Sequence, residues 1–178
     1  MTLFDSAPYQ TLTLTGAMGV GKTSIGRRVA QKLGAEFYDL ENEILTREGQ
    51  SAADIRELFG EARLKALETD MIRELALRRH AVIAVGGAAM LPEVNRARLA
   101  ETGPILCLTC ALNEILRRLH VARGAWFHNP VNRGILFSRL KRELGVTELE
   151  LPQLDTTQLS SDETTAAVIE FWFEHAQI

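Results

Sequence analysis

The sequence is short of several features that would narrow its role at once. Its 178 residues carry 20 basic and 23 acidic side chains, a net charge of −3, so no positive excess marks a broad nucleic-acid surface. No apolar run approaches the ~20 residues that a membrane-spanning helix needs. Met1 to Pro8 hold no basic stretch followed by an apolar one, so they do not read as a secretory signal. They read as a short, loosely held lead-in, and a cytoplasmic location is the expectation. Cysteine is scarce: Cys107 and Cys110 are the only two. Their C-x-x-C spacing invites a redox or zinc role, but no second pair supplies the remaining ligands of a zinc site. Cys107 sits in the apolar run Ile105 to Leu108, where a free cysteine behaves as a small apolar residue. Internal repeats and low-complexity tracts are absent. The length fits a single domain, residues 1–178, with enough chain to bury a core. The oligomeric state is open, with a monomer as the expectation.

What the chain does have is Gly16-Ala17-Met18-Gly19-Val20-Gly21-Lys22-Thr23. This is G-x-x-x-x-G-K-[ST], the phosphate-binding loop. Glycines let the backbone curl so that successive N–H groups face one hollow, a nest for phosphate oxygens. Lys22 can set a compact positive charge on the β- and γ-phosphates, and Thr23 can offer its hydroxyl to Mg²⁺. Thr11 to Thr15, alternating and β-branched, reads as a strand before the loop. After it, Ile25, Val29 and Leu33 recur every four residues, one face of a helix that Gly34 closes. The loop therefore joins a strand to a helix N-terminus, where free N–H groups and the dipole favour an anion. Gly16, Met18, Gly19, Val20, Gly21, Lys22, Thr23 and Ser24 are the expected nucleotide contacts, with ATP and Mg²⁺ as the expected ligands.

Beyond the loop, strand-like and helix-like stretches alternate. That pattern argues for an α/β protein with a parallel sheet covered by helices on both faces. Glu36 to Asp39 is a short strand ending in an acid. Residues 41–79 are mostly helical, broken at Gly49 and Gly60, with Ser51 and Asp54 at capping-box spacing. Ala81 to Val85 is a continuous apolar strand that ends at Gly86-Gly87. A helix is expected from Pro92 to Leu99, a strand from Pro104 to Leu108, and a helix around Leu112, Ile115, Leu116 and Leu119. Val121 to Arg133 has little periodicity and reads as a mobile loop. Helical spacing returns at Ile135, Leu136, Leu140 and Leu144. Glu150 to Thr156 is a weak candidate strand, and Thr164 to Ala176 a last helix whose aromatics belong to the core.

Ligands of parallel α/β sheets bind at the carboxyl ends of the strands. Three features fall there: the phosphate loop, Asp39-Leu40-Glu41, and Gly86-Gly87. One carboxylate beside a nucleotide can hold Mg²⁺, directly or through water, and the other can take the proton of an acceptor hydroxyl. The residues alone leave open which of Asp39 and Glu41 takes which role. Glu41 has an alternative reading as a residue that favours the start of the next helix. The pairing suits phosphoryl transfer to an alcohol, where positioning and charge neutralisation do most of the catalysis. Gly86 and Gly87 would let a substrate ring approach the backbone closely.

Taken together these motifs resemble the shikimate kinase family, in order and spacing along nearly the whole chain. The resemblance rests on the phosphate loop, Phe37-Tyr38-Asp39, Ser51-Ala52-Ala53-Asp54-Ile55, Gly60-Glu61 and Gly86-Gly87. It implies a three-layer P-loop fold with a five-stranded parallel sheet, a substrate-binding region at about 40–80 and a closing lid at about 121–133. It implies that Asp39 holds the metal through water beside Thr23, which leaves the proton to Glu41, that Arg118 packs on adenine and that Asp155 falls near the adenine-binding loop. Arg123 is the lid candidate for stabilising charge on the moving phosphoryl group, with a solvated loop arginine as its other reading. The acceptor side departs from the family pattern. Glu41 stands for the second aspartate of Asp-x-Asp, and Lys65 with Glu68 stands where the family has Phe-Arg and a later Glu. Ala88 replaces a third glycine, Arg-Pro-Leu-Leu is missing from the lid, and Arg142-Glu143-Leu144-Gly145 occupies the place of Arg-x-Pro-Leu-Tyr. Lys65 supplies charge without the planar fork of arginine, and Arg139 or Arg142 is the candidate second cation. The implied activity is ATP-dependent phosphorylation of a small hydroxy acid or polyol, shikimate among them. The alternatives are a gluconate-type kinase and a nucleotide-binding regulator that lacks transfer activity.

Overall fold

A computed structural model describes residues 6–177. Five parallel strands form one sheet in the order β2-β3-β1-β4-β5. They are β1 (Leu12–Gly16), β2 (Glu36–Asp39), β3 (Ala81–Gly86), β4 (Ile105–Thr109) and β5 (Gln153–Asp155). Eight helices connect and cover them: α1 (Lys22–Leu33), α2 (Leu40–Glu48), α3 (Ala52–Phe59), α4 (Glu61–Leu75), α5 (Glu93–Ala100), α6 (Leu112–Arg123), α7 (Pro130–Leu144) and α8 (Ser161–His175). β1 lies in the middle, so the phosphate loop hangs from a strand paired on both edges. Gly16 registers with Gly86, and Asp39 with Ala84, which brings all three expected site features to one end of the sheet.

The strand pleat divides the core in two. Leu12, Leu14, Val82, Leu106 and Leu108 face α1, α6 and α8 through Val29, Ile115, Val168 and Trp172. Ile83, Val85, Ile105 and Cys107 face α2, α4 and α5 through Ile44, Met71, Ile72 and Leu99. Trp172 is fully buried and donates its indole N–H to Gln10 O at 3.2 Å. Thr11 to Thr15, alternating in polarity, are all buried. In a central strand the threonines pack as β-branched volume, and the sheet position overrides the polarity pattern.

Several boundaries differ from the sequence reading. Val121 to Arg133 is no loop. Its first three residues complete α6, Gly124–His128 forms a 3-10 helix, and Pro130 opens α7 with the Asn129 side chain accepting from Val131 N–H. Gly124, at φ 51°, breaks the periodicity between two helices, so neither half was long enough to show. The Asn-Pro pair is an N-cap and first-turn signal that sequence reading took for loop chemistry. The fourth helix ends at Leu75 rather than Arg79. At the amino end, Met1–Asp5 of the expected lead-in lie outside the described residues. Ala7 is pinned, buried and bonded through its N–H to Leu33 O at 3.1 Å.

Candidate active site

The phosphate loop curls as its glycines allow. Gly16, Gly19 and Gly21 all have positive φ, a region closed to most side chains. At Gly16 a Cβ would also come within 2.3 Å of Leu108 O, so β1 and β4 can meet there only across a glycine. Gly21 ends the curl as the residue before α1, leaving the N–H groups of Lys22, Thr23 and Ser24 without intrahelical partners. Lys22 Nζ donates to Gly16 O and Ala17 O at 2.8 and 2.9 Å, which holds the ammonium against its own loop. Burial draws its pKa down, and the Glu143 and Glu41 carboxylates work against that shift.

Asp39 ends β2 and caps α2. Its Oδ1 accepts from Asn42 N–H at 3.2 Å, and its Oδ2 accepts from Thr23 Oγ1 at 2.7 Å. A hydroxyl and a carboxylate side by side at a phosphate loop form a hard-oxygen pair that fits Mg²⁺, an ion that keeps several waters. Among the described residues no group of three or more His, Cys, Asp or Glu comes together, so any metal there would lean on phosphate and water.

Three cavities adjoin at this end of the sheet. The first, about 480 Å³, holds Gly19, Lys22, Thr23, Asp39 and Arg123 on its walls. The second, about 210 Å³, shares Met18, Glu41, Gly86, Arg123, Arg139 and Glu143 with the first. The third, about 360 Å³, shares Arg56, Glu68, Ala88, Ala89 and Arg142 with the second and adds Lys65. The series runs from the phosphate loop, past Glu41, to a cluster of three cations. Glu61 Oε2 accepts from Arg56 Nε at 2.7 Å and from Arg142 Nη1 at 3.4 Å, while exposed Lys65 carries no ion pair among the described residues. Burial pushes the Glu68 carboxyl up to about 7, against the pull of Arg56.

On the other side of the phosphate loop lies a cavity of about 540 Å³ bordered by Val20, Ser24, Arg118 and Thr156 to Ser161. Arg118 donates to Glu114 Oε1 at 3.0 Å and reaches Val20 O at 3.5 Å. The side-chain hydrogen bonds of Arg117 and Arg118 hold the Glu114 carboxyl down at about 2. Asp155 is not on this cavity's wall. It ends β5, exposed, and accepts the N–H and hydroxyl of Thr157, which is on the wall, so it holds that loop rather than facing the cavity.

Two further residues lie differently from their sequence reading. Gly87 does need close approach, but what approaches is the chain itself. A Cβ there would sit 2.3 Å from Glu143 O, and Gly87 lines none of the cavities described. Gly86 does line the two inner ones. Arg123 stands on their shared wall with its guanidinium 4.7 Å above the Trp126 ring. Sequence reasoning also passed over Arg56 and Glu143. Arg56 carried no motif. Glu143 had a faint signal, the i,i+4 spacing from Arg139 on one helix face. Cys107 is buried in β4, and burial raises its thiol to about 11, which keeps it neutral and unreactive.

A parallel sheet with a phosphate loop on its central strand, an acid pair beside it and further cavities beyond fits a P-loop kinase. Comparisons with known proteins narrow the class. The family model "Shikimate kinase" matches residues 18–172. A shikimate kinase from Geobacter sulfurreducens is 34% identical over 168 residues, covering 93% of this chain and 92% of the relative. Another, from Thermodesulfovibrio yellowstonii, is 32% identical over 163 residues, 90% of this chain and 93% of that one. Among solved structures, shikimate kinase from Acinetobacter baumannii in complex with shikimate superposes with a TM-score of 0.77 at 28% identity, covering 96% of both chains. A gluconokinase from Sinorhizobium meliloti shares the fold, with a TM-score of 0.62 at 18% identity and coverage of 95% of this chain and 94% of that one. The chain belongs to the shikimate kinase family. It is an ATP-dependent kinase for a small-molecule hydroxyl. No helix among the described residues is long and apolar enough to cross a membrane.

Proposed function

We propose that this chain moves the γ-phosphoryl of ATP to a hydroxyl of a small hydroxy acid, with shikimate as the first candidate. The observation that carries this reading is the cation cluster of Arg56, Lys65 and Arg142, one cavity beyond Glu41. Against Glu61 and a half-titrated Glu68 the cluster keeps a positive excess, so it suits a carboxylate at the far end of the acceptor. Such an acceptor would present a hydroxyl to the middle cavity, between Glu41 and the phosphate loop. Its oxygen would form a bond to the γ-phosphorus as the bond to ADP breaks, and its proton would pass to Glu41. Lys22 and Arg123 would balance charge on the phosphoryl group. Mg²⁺, when bound by Thr23 and Asp39, supplies further neutralisation of the phosphates. The Arg118 side and Thr156 to Ser161 would take the base.

The test is ATP turnover with shikimate, gluconate and an uncharged polyol in parallel. Shikimate is expected to raise turnover far above bare hydrolysis, and the uncharged polyol is not. No stimulation by either acid would overturn the reading in favour of a regulator. A second measurement follows from Glu68. Its raised pKa means that it gains a negative charge as pH climbs through about 7, beside the cations that grip the acceptor. The KM for an acidic acceptor is therefore expected to rise several-fold from pH 6 to pH 8. Glu68→Gln should flatten that rise, and a rise of the same size in the variant would assign it to another group.

A further inference from the structure

Between the phosphate cavity and the middle cavity stands a buried carboxylate for which the reaction so far has no use. Glu143 is 4% exposed, and both of its oxygens are engaged. Oε2 accepts the N–H of Met18, in the phosphate loop, at 2.5 Å. Oε1 accepts from Arg139 Nε at 3.1 Å, and Nη2 of the same guanidinium donates to Glu41 Oε1. An unbroken run of contacts thus joins the phosphate loop to the residue placed to receive the acceptor's proton. Its members come from three separate elements: the loop after β1, the start of α2, and the last turns of α7.

The arrangement is braced. The Glu143 carbonyl fills the space that a side chain on Gly87 would need, so α7 is seated against the end of β3 and its carboxylate is aimed by backbone. Burying a carboxylate is costly unless it is paired, and an unpaired arginine beside it would be costly too. The pair is stable here because Arg139 lies between two acids, one buried and one half exposed. The guanidinium's planar fork fixes direction as well as charge, which a lysine would not do. Glu41 is left with Oε1 held and Oε2 without a protein partner among the described residues. A general base needs that geometry: oriented, yet with one oxygen open to the incoming proton.

We propose that Glu143 is a positioning residue for phosphoryl transfer: by fixing Arg139 it sets the Glu41 carboxylate relative to the phosphate loop. The inference rests on the kinase reading above. It assigns no contact with substrate to Glu143, whose effect passes through Arg139. Misplacing a reacting group by about 1 Å can cost on the order of 10²-fold in rate, so the loss of this brace should appear in kcat.

The experiment compares wild type with Glu143→Gln, Glu41→Gln and the double variant. Glutamine keeps the size and an oxygen for Met18 N–H, but turns an amide donor towards the Arg139 donor. The expected result for Glu143→Gln is a kcat lowered roughly 10- to 100-fold, with KM for ATP and ADP affinity by calorimetry changed less than about threefold. In the Glu41→Gln background the same change should add less than about threefold, since residues acting through one another are not additive. If Glu143→Gln fails to fold, Arg139→Gln takes its place, because it breaks the middle link and leaves the Glu143–Met18 contact alone. It should show the same loss and the same lack of addition. A wild-type kcat in Glu143→Gln, or a full multiplicative loss in the double variant, overturns this inference and leaves the kinase reading standing. Absence of acceptor-stimulated turnover in wild type overturns both.

Discussion

Lys22→Ala is expected to lower kcat/KM by about 10³-fold or more and to weaken ATP binding, with the fold retained. Removing one fixed donor from a site of developing charge typically costs 10²–10³-fold, and a full charge at the transferring phosphoryl costs more. Lys22 is the ammonium on the wall of the phosphate cavity, held to its own loop by Gly16 O and Ala17 O. Those contacts, from a charged donor, are worth about 1.5–3 kcal/mol each, and losing them is offset in part by removing a charge that burial disfavours. The loop keeps its shape for other reasons: three glycines at positive φ and the approach of Leu108 O to Gly16. Calorimetry with an ATP analogue and a thermal melt check both halves. Unchanged affinity would mean that the nucleotide's phosphates lie elsewhere.

Glu41→Gln is expected to reduce kcat by 10²–10⁴-fold, the range of a positioned general base, with nucleotide affinity nearly unchanged. The asymmetry follows from placement. Glu41 faces the middle cavity, while Thr23 and Asp39, which would serve the metal, keep their mutual hydrogen bond. Arg139 would lose the charge of one partner but retain Glu143. Single-turnover kinetics with saturating ATP isolates the chemical step. An undiminished rate would remove Glu41 from proton transfer and leave it as a first-turn acid of α2, the other reading that its position allows.

Much of this site was readable before any coordinates because its parts are local. A phosphate loop is eight consecutive residues whose geometry follows from glycine and whose chemistry follows from Lys-Thr. The Ser51–Asp54 capping box is a four-residue device, and both of its hydrogen bonds form. Asp39 was placed correctly at a strand end because strand and acid adjoin. The unread parts are those that depend on which helix leans where. Glu143 matters only because α7 packs against the turn after β3, and no window of sequence around it contains that turn; Arg139, expected as a cation for the acceptor, instead bridges Glu41 and Glu143. Gly87 shows the same limit from the other side. Its need for space was legible, but whether a ligand or the chain's own carbonyl would use that space was not. Arg56 reaches the cavity beyond Glu41 because Glu61 ties it towards Arg142, a contact spanning three helices. The segment Val121 to Arg133 was misread because one glycine split a helical stretch into pieces shorter than the period test requires.

The order of strands has a mechanical consequence. β1 is clasped between β3 and β4, so the strand that carries the phosphate loop is held on both edges. The proposed acceptor cavity is bordered instead by α3, α4 and α7, joined at its rim by partly exposed ion pairs of Arg56 and Arg142 with Glu61, which salt screens. As ionic strength rises, the molecule should forget its acid before it forgets its phosphates.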